Sequence, residues 1–141
     1  MKWLPIEENN GTIDMQDEEL VCEMARIGNI TNELEMHVRY KERLGQGIPH
    51  IHIWDSNSSG GQKHVCVRLD DARYFKHDSA TDELNARERA ALVKFFKSKP
   101  EDFPEIENNF RLAIRMWNAN NSSSKIDPNI PMPDYTVIAN E

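Results

Sequence analysis

Cysteine is scarce in this chain: Cys22 and Cys66 are the only two among 141 residues, and their spacing fits neither a metal finger nor a redox pair. Long apolar runs are missing as well. None approaches the roughly 18 residues that a membrane helix needs, which excludes a helical span. The opening Met1-Lys2-Trp3-Leu4-Pro5 leads into acidic residues without an apolar stretch, so no signal peptide is expected and the chain is assigned to the reducing cytoplasm. Positive charge is also in deficit, with 17 Lys and Arg against 24 Asp and Glu, a net charge of −7 and a pI of about 5.2. A protein that grips phosphate backbones needs a positive surface, so extended nucleic-acid binding is disfavoured. No internal repeat is visible.

What is present is ordinary for a globular domain: 38% hydrophobic and 29% charged residues. A chain of this length buries roughly two-thirds of its unfolded surface, enough for one real core. The most informative stretch is Pro49-His50-Ile51-His52-Ile53-Trp54-Asp55. It alternates polar and apolar residues with a period of two, as a half-buried strand does. Ile51 and Ile53 then face a core, which places His50, His52 and Trp54 together on the opposite face.

Its neighbours alternate too. Leu34, Met36, Val38 and Tyr40 share one face of a strand, with Glu35, His37 and Arg39 on the other. Residues 63–70 put Val65, Val67 and Leu69 on one side, against His64, Cys66 and Arg68. Polar loops over 41–48 and 55–61 join the three into an antiparallel meander. Upstream, Leu20, Val21, Met24 and Ile27 fall at helical spacing behind acidic Asp17, Glu18 and Glu19, predicting a helix over 14–28 with Gly28 as its C-cap. A strand over 21–27 is the competing reading. Downstream, Asn85 and Glu88 form a capping-box pair for a helix running to Lys97 with Leu92, Val93, Phe95 and Phe96 inward. A second helix starts near Pro104 and carries Ile106, Phe110, Ala113, Ile114 and Trp117. The predicted architecture is α+β: a three- to four-stranded meander with two C-terminal helices packed on one face, plus the N-terminal helix. Residues 1–121 form the domain, and the Pro-rich 122–141 an extended arm on the domain or on a partner.

Parity puts His37, His50, His52 and His64 on one face, and a two-residue slip in register would not change that. Tyr40 opposite Pro49 would set His37 against His52; closing the next hairpin around 55–61 would set His52 against His64 and His50 against Cys66. Cross-strand Cβ atoms stand about 5 Å apart, so imidazoles there can converge on one ion at Zn–N distances of about 2.0–2.1 Å. The candidate metal centre is an open three-histidine site of His50, His52 and His64, with His37 or Cys66 as an alternative ligand, for Zn or another divalent metal. A metal-free alternative makes His50 and His52 an acid–base pair, with Arg39 or Arg68 holding an anion and Trp54 lining the site. The plainer readings are polar cover on an exposed sheet face, or a homodimer formed through that face or the C-terminal arm. His77 falls in a connection and reads as solvated; Cys66 reads as a small buried hydrophobe.

The segment Pro49-His50-Ile51-His52-Ile53 resembles the Pro-His-x-His-Val/Ile signature of a group of small bacterial and phage domains of no settled activity. Their pattern is a strand pair, the signature, a further strand, then two helices ending in Trp-Asn. Here Ala25-Arg26-Ile27-Gly28 precedes the meander, Val67-Arg68-Leu69 follows it, and Trp117-Asn118 closes the second helix. The resemblance covers roughly residues 24–121, and the signature itself maps onto His50 and His52 alone. Ile48 stands where the group has a second proline, and Cys66-Val67 replaces its aromatic cluster. Some members sit near toxin–antitoxin or mobile-element loci, which implies a defence-related component acting on RNA. That adds a third candidate to a metal-binding protein and a non-enzymatic interaction module.

Overall fold

The structure, a computed structural model, describes residues 24–39, 47–55, 63–77 and 79–140. Four strands follow one another as β1 (Met24–Asn29), β2 (Leu34–Arg39), β3 (His50–Asp55) and β4 (His64–Arg68). They form one antiparallel sheet in the order β1-β2-β3-β4. Two helices come after it, α1 (Ala86–Lys97) and α2 (Asn109–Asn120), and the fold is α+β as the periodicities indicate. The expectations for the N-terminal arm, residues 14–23, Tyr40 and loop residues 41–46 and 56–62 lie outside the described residues.

The helix expected to run on to Gly28 is corrected at its end, because Met24–Asn29 is a strand. Local spacing there is compatible with both periods, and pairing with β2 decides it. The ladder sets Arg26 opposite His37 and Gly28 opposite Met36, with a bulge at Ile27 that absorbs one residue. Gly28 has a packing reason as well: a Cβ built on it would stand 3.0 Å from two ring atoms of Phe95 on α1.

One sheet face carries the main core. Leu34, Met36, Val38, Ile51, Ile53, Val65 and Val67 pack with Leu92 and Phe96 of α1 and with Phe110, Ile114 and Trp117 of α2. α1 starts where the sequence places it. The Asn85 side chain accepts from the Glu88 N–H at 2.8 Å while the Glu88 carboxylate takes the Asn85 N–H at 2.9 Å. α2 begins later than expected, since Pro104–Glu107 is a turn and Asn108 is the residue whose side chain caps the helix, accepting from Arg111 N–H at 2.9 Å.

The arm lies on the domain. Trp117 Nε1 donates to the Ser124 carbonyl at 2.7 Å, and the Asn118 amide grips Ile126 through both its carbonyl and its N–H. Tyr135 is fully buried, and its hydroxyl donates to the Arg68 carbonyl at 2.5 Å. Burial, reinforced by the charges of Asp70 and Asp71, pushes that phenol far above its usual pKa and keeps it a donor. Ala139 then hydrogen-bonds Ala72 and Tyr74, extending the sheet edge beyond β4.

Candidate metal centre

The site is built on the second face of the sheet. His37 pairs with His52, as one of the two registers considered requires. The β3–β4 hairpin is two residues away from the register considered for it: His52 faces Cys66, His50 faces Arg68 and Trp54 faces His64. Since the slip is even, all these side chains stay on the face that the apolar alternation assigns them.

That face is covered, which corrects its reading as an exposed surface. His50 and His52 are each 0% exposed and Cys66 is 1% exposed. The cover is the chain that follows β4. After a turn it runs back beside β4, with Phe75 N–H donating to the Cys66 carbonyl at 2.9 Å and Asp82 N–H to the His64 carbonyl at 3.1 Å. Between these two anchors the chain brings Phe75 and His77 over the histidines, with Ala80 in the small buried cluster of Cys66 and Phe75. The ring of His50 has Phe75 at 4.8 Å, His77 at 5.1 Å and Trp117 of α2 at 5.2 Å. One chain suffices to bury these groups.

Four potential metal donors meet there: one atom each from His50, His52, Cys66 and His77 lies within 4.8 Å of the other three. The group could hold a metal ion. Its side chains come from β3, β4 and the covering chain, so the fold, not local spacing, assembles it. Backbone carbonyls orient two of the rings in the same way. His50 Nδ1 lies 2.7 Å from the Ile48 carbonyl and His77 Nδ1 lies 2.9 Å from the Phe75 carbonyl. A carbonyl only accepts, so each Nδ1 carries the proton and each Nε2 the lone pair, the form in which histidine binds metals. His52 Nδ1 lies 2.9 Å from His64 Nε2 and 3.0 Å from Cys66 Sγ, with its Nε2 3.8 Å from that sulfur.

The remaining candidates are distributed differently. His64 adjoins the group through His52 and stands outside the four donors. His37 sits one strand further away, stacked on Trp54 at 4.7 Å with its Nε2 3.1 Å from Glu35 Oε1. Burial lowers its pKa below the ordinary 6.5 despite that carboxylate. Arg68 is held by Asp70 at 2.8 and 2.9 Å. Arg68 pairs with His50, and so stands about 13 Å along the strand direction from Trp54. The Arg39 side chain lies outside the described residues. His77, read as solvated, is the functional candidate that sequence reasoning missed. Its signal was the alternation of Tyr74, Phe75 and His77 after the Asp70-Asp71 turn, which continues the meander by one short edge segment; Tyr74 pairs with Val67.

No family model, curated protein or solved structure matches the chain. Its functional reading therefore rests on the geometry above. Among the described residues no helix is long and apolar enough to cross a membrane.

Proposed function

We propose that this chain is a metal-binding domain holding one transition-metal ion of the Zn²⁺ class through His50, His52, Cys66 and His77. The observation that carries the reading is the convergence of these four donors within 4.8 Å in the protein interior. Around a tetrahedral ion with Zn–N of about 2.0–2.1 Å and Zn–S of about 2.3 Å, neighbouring donors stand about 3.3–3.6 Å apart. The four side chains need only a modest contraction to reach that. Three imidazoles and one thiolate favour Zn²⁺, Co²⁺ or copper over Mg²⁺ and Ca²⁺, which take oxygen donors.

Burial favours retention of an ion over turnover of a substrate. Four protein ligands fill a tetrahedral shell, whereas catalytic zinc keeps a position open. The ion would fasten the chain between Phe75 and Asp82 onto β3 and β4, so its binding energy would be folding energy. An acid–base role for His50 and His52 on RNA would need substrate to reach two side chains that are 0% exposed.

The test is protein made without a histidine tag and analysed for metal content, followed by melting with and without chelator. One equivalent of metal is expected, with a Tm about 10 °C or more higher in the loaded form, corresponding to roughly 4 kcal/mol when the ion is at 1,000 times its Kd. Protein that carries no metal, and whose Tm moves with neither Zn²⁺ nor chelator, would overturn the reading.

A further inference from the structure

His50 and His77 are each held by a carbonyl two residues earlier in the chain, Ile48 and Phe75. His52 instead finds an imidazole across the ladder: its Nδ1 lies 2.9 Å from His64 Nε2. His64 is itself well fixed. Its Nδ1 lies 3.1 Å from Ser79 Oγ, its N–H donates to Asp82 Oδ2 at 2.8 Å, and its ring stands edge-on to Trp54 at 5.0 Å.

Resting on the metal-binding reading, we infer that His64 is a positioning residue of the centre, aiming His52 Nε2 at the ion, and not one of its ligands. In this arrangement His64 Nδ1–H donates to Ser79 Oγ, which leaves the His64 Nε2 lone pair to accept the Nδ1 proton of His52. His52 is thereby set in the same form as His50 and His77, with Nδ1 occupied and Nε2 offered. All three imidazoles then present the same atom to the space around Cys66.

The alternative partner of His52 explains why the residue is needed. Cys66 Sγ is 3.0 Å from His52 Nδ1 and 3.8 Å from Nε2. His52 Nδ1 stands almost equally near both, 2.9 Å from His64 Nε2 and 3.0 Å from Cys66 Sγ, so the two compete for its proton, and without His64 the sulfur gains it. That contact engages the thiol and turns the wrong nitrogen toward the centre. With His64 in place, Nδ1 is occupied and the longer Sγ···Nε2 separation is close to the roughly 3.5 Å that two ligands of one zinc ion keep. A partner that holds the far nitrogen of a metal-binding histidine is worth about 10–100-fold in metal affinity.

The experiment is a Co²⁺ titration of wild type, His64→Ala, His64→Gln and Ser79→Ala, reading affinity, stoichiometry and the cobalt spectrum. Nitrogen NMR of the zinc form then reports which His52 nitrogen binds. For His64→Ala the expected result is about 10–100-fold weaker binding with one equivalent and the thiolate-to-cobalt charge-transfer band retained. His52 then changes toward Nδ1 coordination. His64→Gln, whose side-chain oxygen can accept where Nε2 did, restores most of the loss, and Ser79→Ala gives a smaller one in the same direction. Affinity of His64→Ala within twofold of wild type overturns the inference. So does loss of tetrahedral cobalt absorption in both His64 variants, which would make His64 a ligand. A wild-type protein that takes up no Co²⁺ overturns the metal reading itself and is thereby distinguished from either result.

Discussion

Cys66 stands directly across the β3–β4 ladder from His52, the two residues are 1% and 0% exposed, and Cys66 Sγ lies 3.0 Å from His52 Nδ1. A thiol placed beside three imidazoles is the softest donor in the group, and deprotonated it would supply the one negative ligand charge of the proposed centre. Cys66→Ser replaces it with a hydroxyl, which ionises far less readily and binds soft ions poorly. The expected outcome is metal affinity lowered by about 100-fold or more, beyond the loss from an outer-shell partner. The thiolate-to-cobalt band should vanish while the far-ultraviolet circular dichroism keeps its shape. Undiminished affinity in Cys66→Ser would remove the sulfur from the coordination shell.

How far the sequence goes is clearest on this face. The period-two alternation around Ile51 and Ile53 forces His50, His52 and Cys66 onto one side, and no plausible even slip moves them. The capping pair Asn85 and Glu88 is equally local and is found where expected. What the residues alone do not determine is what covers the histidines. His77 reaches them because the chain turns after Leu69 and pairs along β4, a tertiary event that leaves only a weak alternation behind. The groups that orient His50 and His77 are backbone carbonyls, which have no signature in a sequence. Residues 24–29 show the opposite limit: six residues with apolar positions compatible with either period become a strand because β2 offers an edge.

Gly28 and Phe95 make a second relationship that can be measured. A Cβ at position 28 would meet Phe95 Cε1 and Cζ at 3.0 Å, so even alanine requires the ring to shift by a few tenths of an ångström. Gly28→Val adds branches to that clash, and overpacking of this kind costs about 1–3 kcal/mol. Chemical denaturation should show the loss, and Phe95→Leu in the same chain should recover part of it. A strictly additive double-mutant cycle would mean that the two positions do not press on each other.

Tyr74 closes the covering chain from its core side. Its hydroxyl accepts the Leu84 N–H at 2.9 Å and faces the Leu84 carbonyl at 3.3 Å, all of it buried. The carbonyl has a second donor in Arg89 at 2.8 Å, but the N–H relies on the tyrosine. Tyr74→Phe keeps the ring and strands that N–H, at about 1–3 kcal/mol. The melting temperature should fall by about 4 °C per kcal/mol, and the Leu84 amide should exchange faster with solvent. Unchanged exchange at Leu84 would show that the hydroxyl contributes nothing to the closure.

His37 should give the fold a defined acid sensitivity. Its Nε2 faces Glu35 Oε1 at 3.1 Å, which makes that nitrogen the donor, while its Nδ1 is buried with no hydrogen-bond partner among the described residues. Adding a proton at Nδ1 therefore creates a buried N–H with nothing to accept it, and burial outweighs the help of the carboxylate in setting the pKa below 6.5. The native state then binds fewer protons at this site than the unfolded chain. Above the unfolded value both forms are neutral and His37 adds no pH dependence. As the pH falls through it, the unfolded chain gains a proton that the native state refuses, so stability declines until the folded pKa is passed. The imidazole signal of His37 should titrate below 6.5, and His37→Gln should lose less stability than wild type between neutral pH and the acid side of that value. A His37 titration at or above its ordinary value would show that the Glu35 carboxylate, and not burial, governs this side chain.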